Sequence, residues 1–153
     1  MVHEVTPCPT DSLEQMRTTG PLLEFVIPRR PISLQIRNRS RLREWKEYVA
    51  DVARELWTKG CPVSVDNLSL TLVYLSDEAP LDVDNIIKPI QDALVGLVLQ
   101  DDALVCDVRS HRRMRTGTFD VARLPVTMLE ALNLESECVY VRVGLAPDLE
   151  DVL

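Results

Sequence analysis

Residues 82–102 read DVDNIIKPIQDALVGLVLQDD, a stretch that joins several acids to a short amphipathic segment. Its apolar residues recur three and four positions apart, which predicts a helix with one buried face. The residues on that face are Ile86, Ile90, Ala93, Leu94 and Leu97. A proline inside a helix costs about 3 kcal/mol or more, so Pro89 predicts a regular helix that begins near residue 87 or kinks there.

Strand-like segments lie on both sides of this helix. Residues 65–75 alternate between apolar and polar positions, as in a strand with one buried face. The other predicted strands are residues 22–27, 32–36, 103–113 and 137–145, and the other predicted helices are residues 40–57 and 125–132. We expect Ser40 to cap the first of these helices and Gly60 to end it.

The chain shows no internal repeat, and we predict a single α+β domain over residues 21–146. Residues 1–20 mix proline, threonine and charge without periodicity, so they are interpreted as a flexible arm. Residues 147–153 form an acidic tail. The 153-residue length is enough for one hydrophobic core.

Several protein classes are disfavoured by composition. No apolar run approaches the ~20 residues that span a bilayer, so we expect no membrane partner. The N-terminus lacks the basic and apolar regions of a secretory signal, so we expect a cytoplasmic protein. The four cysteines lie far apart without a C-x-x-C pair, which argues against a zinc or disulfide framework and favours reduced, partly buried thiols.

Basic residues are segregated although the net charge is −7. Between residues 29 and 46 there is one acid, Glu44, among seven basic side chains: Arg29, Arg30, Arg37, Arg39, Arg41, Arg43 and Lys46. A second cluster consists of Arg109, Arg112, Arg113 and Arg115. Because local potential steers a polyanion to a surface, the clusters predict phosphate contacts, with a solvated helix face as the plainer alternative.

The acids of the opening stretch predict a site for a hard cation. Asp82 and Asp84 project to the same side if the chain is extended there, whereas Asp84 could instead cap the helix. Lys88 follows one helical turn later, and Asp101 and Asp102 join the site if the next strand returns alongside. Two carboxylates ~4 Å apart repel by about 4 kcal/mol at an effective dielectric of 20, so such a cluster must take up protons or a metal ion.

Oxygen ligands without cysteine or histidine suit Mg²⁺, with Mn²⁺ as the alternative. An ion held by Asp82, Asp84 and Asp102 could neutralise charge on a phosphoryl group, with Lys88 beside it. No glycine-rich phosphate loop is present, so no nucleotide cofactor is expected. Each feature also has a plainer interpretation: a helix-entry turn at residues 82–85, an i,i+4 pair between Lys88 and Asp92, and a solvated loop at residues 101–102.

Taken in order, residues 82–105 closely resemble the signature of the RusA family of Holliday junction resolvases. That signature reads D-x-D-N-x-x-K-x-x-x-D-A-L-x-G, followed by D-D and a hydrophobic strand. The upstream FVIPRRPISLQIRNR and the helix that begins near RLREWK are also similar, so the resemblance covers roughly residues 22–145. It implies a mixed β-sheet of about four to five strands packed against two main helices.

The resemblance also implies a function, a homodimeric Mg²⁺-dependent endonuclease that cuts four-way DNA junctions in recombination and repair. Asp82, Asp84 and Asp102 would be catalytic metal-binding acids supported by Asp101, and Lys88 the catalytic lysine. The expected DNA-binding residues are Arg29, Arg30, Arg37, Arg39, Arg41, Arg43, Arg112 and Arg113. A two-fold dimer matches a junction that is nicked on two symmetry-related strands. A nuclease for flaps or other branched DNA, and a non-catalytic junction-binding protein, are the alternatives.

Overall fold

The structure is a computed structural model that describes residues 20–65, 67–77 and 81–153. Its strands are β1 (Leu23–Ile27), β2 (Leu68–Ser76), β3 (Val105–Met114) and β4 (Cys138–Leu145). Its α-helices are α1 (Arg39–Leu56), α2 (Ile87–Leu94), α3 (Val126–Leu132) and α4 (Leu149–Val152). Short 3₁₀ turns occupy Asp102–Leu104 and Val121–Arg123. The predicted arm at residues 1–20 lies outside the described residues except for Gly20.

The four strands form one mixed sheet in the order β1-β4-β2-β3. The pairs β1/β4 and β4/β2 are antiparallel, whereas β2 and β3 are parallel. Parallel neighbours need a crossover connection, and here α2 supplies it between β2 and β3. The predicted α+β fold with a mixed sheet on two main helices is therefore confirmed.

The main core lies between the sheet and the helices α1 and α2. Helix α1 buries Leu42, Trp45, Val49 and Ala53, which share one face at helical spacing. Alternate residues of β2 meet them, and Tyr74 is fully buried there. The opposite face of the sheet carries a smaller cluster that includes Leu75, Met128, Ala131, Cys138 and Tyr140. Helix α3 covers that second face.

Proline is accommodated at the start of α2 for a local reason. The helix begins at Ile87, as predicted, so Pro89 is its third residue. The first backbone N–H groups of a helix have no intrahelical partner, and a missing N–H there breaks no hydrogen bond. The helix ends at Leu94, and Gly96 takes a positive φ of 83° in the turn that follows. Leu97 therefore lies outside the helix that the periodicity predicted.

Some expectations are wrong in detail. Residues 32–36 form a turn and not the predicted strand, because the N–H of Ile36 donates to the carbonyl of Ser33 at 3.1 Å and not to a neighbouring strand. Asn38, not Ser40, caps α1, and its side chain accepts from the backbone N–H of Arg41. The helix ends at Leu56, before Gly60. The acidic tail contains the one-turn helix α4.

The cysteine prediction is confirmed in part. Cys106 and Cys138 are free thiols, the first exposed and the second buried. Burial raises the pKa of the Cys138 thiol to about 11. Cys61, however, is disulfide-bonded, so the expectation of a reduced thiol is wrong there. Within the described ranges, none of the helices is long and apolar enough to cross a membrane.

Candidate functional site

The loop that carries the first two acids folds back along the edge strand β3. Ser110 donates its hydroxyl to the carbonyl of Val83 at 2.6 Å, and Arg112 donates from Nη1 to the carbonyl of Leu81 at 3.2 Å. Residues 81–83 therefore run past β3 in the direction opposite to it. Since β3 is the last strand of the sheet, its outer edge is available to hold this segment. We call residues 81–86 the acid loop.

A tight turn closes the acid loop before α2 begins. The carbonyl of Asp82 accepts from the N–H of Asn85 at 3.2 Å, and that of Asp84 accepts from Ile87 at 3.3 Å. The helix N-cap is Ile86 and has no side-chain cap, so the alternative that Asp84 caps the helix is wrong. The side chains of Asp82 and Asp84 are exposed and remain accessible to a ligand.

Asp82 and Asp84 line one open cavity of about 620 Å³ together with residues 110–113 of β3. Two of the predicted DNA-binding residues, Arg112 and Arg113, are therefore beside two of the predicted catalytic acids. Ser110 is not among the residues predicted for this site. The alternation along β3 places Ser110 on the same face as Arg112, but the path of the acid loop was not evident from that pattern.

The predicted catalytic lysine and the later acids form a second cluster next to α2. The Lys88 ammonium contacts Asp102 Oδ2 and lies 2.9 Å from Asp92 Oδ1. The other oxygen of Asp92, Oδ2, lies 2.9 Å from the ammonium of Lys46 on α1. We call Lys46, Lys88, Asp92 and Asp102 the lysine–aspartate cluster. The predicted i,i+4 pair between Lys88 and Asp92 is confirmed, and Lys46 is a further member of the cluster that was not predicted.

Charges within this cluster stabilise one another. The hydrogen bond to Asp102, and then that to Asp92, raise the pKa of Lys88. The hydrogen bond from Lys88 lowers the pKa of Asp102. Burial raises the pKa of Asp92, but the hydrogen bonds from Lys88 and Lys46 outweigh it, so the net shift is downward. Lys88, Asp92 and Asp102 are therefore charged at neutral pH.

Asp101 is engaged locally. Its carboxylate accepts from the backbone N–H of Ala103 at 2.8 Å and caps the 3₁₀ turn that leads into β3. Over residues 20–65, 67–77 and 81–153, no three histidine, cysteine, aspartate or glutamate side chains form a group that could hold a metal ion. The structure thus brings Asp82 and Asp84 to one cavity, but it does not gather all four predicted metal-binding acids into one cluster.

Two carboxylates still fit the predicted ion. Mg²⁺ keeps several of its waters and is commonly bound by one or two carboxylates together with substrate phosphates. Asp82 and Asp84 meet that requirement from an exposed loop, with arginines near enough to bind phosphate. Asp102 is paired with the ammonium of Lys88 through Oδ2, and this pairing disfavours a metal ion on the same carboxylate.

The predicted DNA-binding arginines of the first cluster have different surroundings. Arg30 pairs with Glu137 at 3.2 Å, and the guanidinium carbon of Arg29 lies 3.7 Å from the ring centroid of Tyr48. Arg29, Arg30 and Arg41 line a cavity of about 680 Å³ that also contains acids. Their charge is therefore partly compensated.

The remaining arginines of that cluster, Arg37, Arg39 and Arg43, are exposed. Arg39 donates from Nη1 to the carbonyl of Leu34 at 3.3 Å, and the N–H of Leu34 donates to the carbonyl of Asn85 at 3.0 Å. The segment that carries Arg37 and Arg39 is thereby attached to the acid loop.

Comparison with known families agrees with this arrangement. The model of a family described as Endodeoxyribonuclease RusA matches residues 28–121, more than half of the chain. The matched range contains the acid loop, the lysine–aspartate cluster and strand β3, and it ends before α3 and β4. A search of curated proteins finds no significant match.

Proposed function

This chain belongs to the RusA family of endodeoxyribonucleases, and from that premise we propose that it cuts four-way DNA junctions in a Mg²⁺-dependent reaction. Recombination and repair are the processes that supply such junctions, and we place the protein there. The cofactor is Mg²⁺, with Mn²⁺ as a substitute. The functional unit we propose is a homodimer, because a four-way junction offers two equivalent strands related by a two-fold axis.

One observation carries this proposal. Asp82 and Asp84 share an open cavity with Arg112 and Arg113, so the acids that suit a hard cation lie beside the cations that suit a phosphate. A phosphodiester in this cavity would meet both. When bound, Mg²⁺ would supply a Lewis acid that neutralises the negative charge developing on the phosphoryl oxygens.

Lys88 acts in this scheme as a fixed positive charge. Its hydrogen bonds to Asp102 and Asp92 raise its pKa, so the ammonium keeps its proton at neutral pH. A protonated amine has no lone pair to accept a proton from water, and we therefore assign it electrostatic stabilisation and not general-base catalysis. Asp101 supports the site by capping the turn that carries Asp102.

The exposed arginines line the surface along which the DNA would lie. Arg37, Arg39 and Arg43 extend from the acid loop along the start of α1, and we propose that they contact the junction's phosphates. Arg29, Arg30 and Arg41 extend the same surface, although nearby acids reduce their contribution. Contacts of this kind position a duplex without reading its sequence.

The test is a cleavage assay on a labelled four-way junction, with Mg²⁺ or with EDTA. We compare wild type, Asp84→Asn and the matched control Asp51→Asn, whose exposed aspartate lies on α1 and pairs with Arg54. The wild type and the control should cut only with Mg²⁺, whereas Asp84→Asn should lose at least about 100-fold in rate and retain binding.

Other results of this assay would support a different function. Wild-type binding without metal-dependent cutting would support a non-catalytic junction-binding protein. Cutting of flaps but not of four-way junctions would support a nuclease for other branched DNA. Equal loss in Asp84→Asn and Asp51→Asn would remove the acid loop from the reaction.

A further inference from the structure

The lysine–aspartate cluster has more partners than a single catalytic lysine requires. Lys88 contacts two carboxylates, and one of them, Asp92, also binds Lys46 through its other oxygen. The side chain of Asp92 is 29% exposed, that of Lys46 31%, and those of Lys88 and Asp102 45% and 37%. Asp92 and Lys46 are thus the less accessible half of the cluster, and Lys88 and Asp102 the half that a ligand can approach.

Asp92 and Asp102 both bind the Lys88 ammonium. A metal ion on Asp102 is disfavoured while Lys88 contacts its Oδ2, because two positive charges on one carboxylate repel. If Asp102 turns to a metal ion, Lys88 loses one carboxylate but retains Asp92. Without Asp92, the same movement would leave Lys88 with no anion among these contacts.

We infer that Asp92 is a positioning residue that holds the Lys88 ammonium and so releases Asp102 for the catalytic metal ion, with Lys46 limiting that hold. This inference rests on the proposed function. Asp92 touches neither substrate nor metal in this role, and it acts through Lys88. Lys46 opposes it because it occupies the second oxygen of Asp92, which would otherwise also be available to Lys88.

Asp92→Asn and Lys46→Met should change the affinity for the metal ion in opposite directions. Asp92→Asn leaves Asp102 as the anion that pairs with Lys88, so a metal ion must compete harder for Asp102. Lys46→Met frees the second oxygen of Asp92 for Lys88, so Asp102 is released more readily. A role confined to packing or stability would make both substitutions act in the same direction, because each removes a partly buried ion pair.

The experiment measures Mn²⁺ binding to the free protein by calorimetry. Asp92→Asn should raise the Mn²⁺ dissociation constant about fivefold, which corresponds to about 1 kcal/mol, the strength of a partly exposed ion pair. Lys46→Met should leave the constant unchanged or lower it. Asp51→Asn, which removes an exposed carboxylate of α1 outside this cluster, is the control and should change nothing.

Loss of a negative charge could by itself weaken cation binding, so the same substitution is repeated without the lysine. In a Lys88→Met background, Asp92→Asn should shift the dissociation constant by less than twofold if Asp92 acts through Lys88. A long-range charge effect would persist in that background at its full size. Thermal unfolding of every variant checks that the domain remains folded.

The outcomes separate the two proposals. Equal shifts for Asp92→Asn with and without Lys88 overturn the positioning role and leave the nuclease proposal intact. An increase in the dissociation constant for Lys46→Met as large as that for Asp92→Asn overturns it as well. Wild-type protein that cuts junctions in EDTA, and binds no Mn²⁺, overturns the metal-dependent function and this inference together.

Discussion

Glu137, the residue before β4, makes hydrogen bonds whose loss gives a calculable change in stability. Its Oε1 accepts from the hydroxyl of Tyr74 at 3.0 Å and from the backbone N–H of Asp77 at 2.9 Å. Its Oε2 pairs with Arg30 at 3.2 Å. The side chain is 13% exposed. Asp77 directly follows β2, so this carboxylate holds the backbone at the end of that strand.

We predict that Glu137→Ala lowers the free energy of unfolding by about 3–6 kcal/mol. Hydrogen bonds to a charged group contribute about 1.5–3 kcal/mol each, and two of them are lost. The half-exposed Arg30 pair adds less than about 1 kcal/mol. For a domain of this size the midpoint of thermal unfolding should fall by roughly 10 °C or more. Glu135→Ala, an exposed neighbour, is the control and should stay within about 0.5 kcal/mol.

The assay is urea unfolding followed by circular dichroism, extended to a double-mutant cycle. Tyr74→Phe should destabilise the wild type by about 1.5–3 kcal/mol, because Glu137 loses one donor. In the Glu137→Ala background it should cost almost nothing, since the hydroxyl no longer has this acceptor. The reasoning is refuted if Tyr74→Phe costs the same in both backgrounds, or if Glu137→Ala costs less than about 1 kcal/mol.

Three further predictions concern ionisation, backbone strain and thiol access. Burial, and then the hydrogen bond to Glu137, raise the pKa of Tyr74 to about 12. The stabilising contribution of Tyr74 is therefore complete below pH ~10 and falls as the pH rises towards 12, which tyrosinate absorbance and urea midpoints across that range measure. A urea midpoint that does not change with pH would contradict this. Gly96→Ala should lower the free energy of unfolding by about 1–2 kcal/mol, because φ is +83° at this residue, although a Cβ atom would meet no neighbour within 4 Å. An unchanged free energy in urea unfolding would contradict this and would mean that the turn relaxes. An aromatic disulfide reagent should label Cys106 in the native protein and Cys138 only after unfolding, because only Cys106 is exposed. Cys106→Ser should remove the fast phase of labelling. Rapid labelling of the Cys106→Ser variant would contradict the difference in exposure.

Most of the fold was predictable because its signals are local. Helix α1 and strand β2 each repeat apolar residues at the period of their own geometry, and both formed as predicted. The errors occur where local signals compete. Asn38 and Ser40 are both good caps, and only the path of the preceding turn selects between them. Leu97 matches the helical period, yet the glycine before it ends the helix.

The candidate site was predictable in its residue types and less so in its arrangement. The order of acids and lysine in residues 82–102 led to the RusA family, which the match over residues 28–121 supports. The roles of Asp82, Asp84 and Asp102 stay predictions. The disulfide at Cys61 was not predicted, because sequence spacing alone does not reveal which thiols come close together.

The sequence by itself determined which elements form and which chemistry-bearing residues the chain carries, because periodicity, capping and residue type act over a few neighbouring positions. Only the tertiary structure decided which of these residues meet. Ser110 and Arg112 hold the acid loop from about 30 positions away, and Lys46 reaches Asp92 across 46 positions. Such contacts depend on how the sheet and helices pack, and the spacing of residues along the chain does not show that packing. The division of the acids between an open cavity and a lysine-bound cluster is therefore a property of the fold.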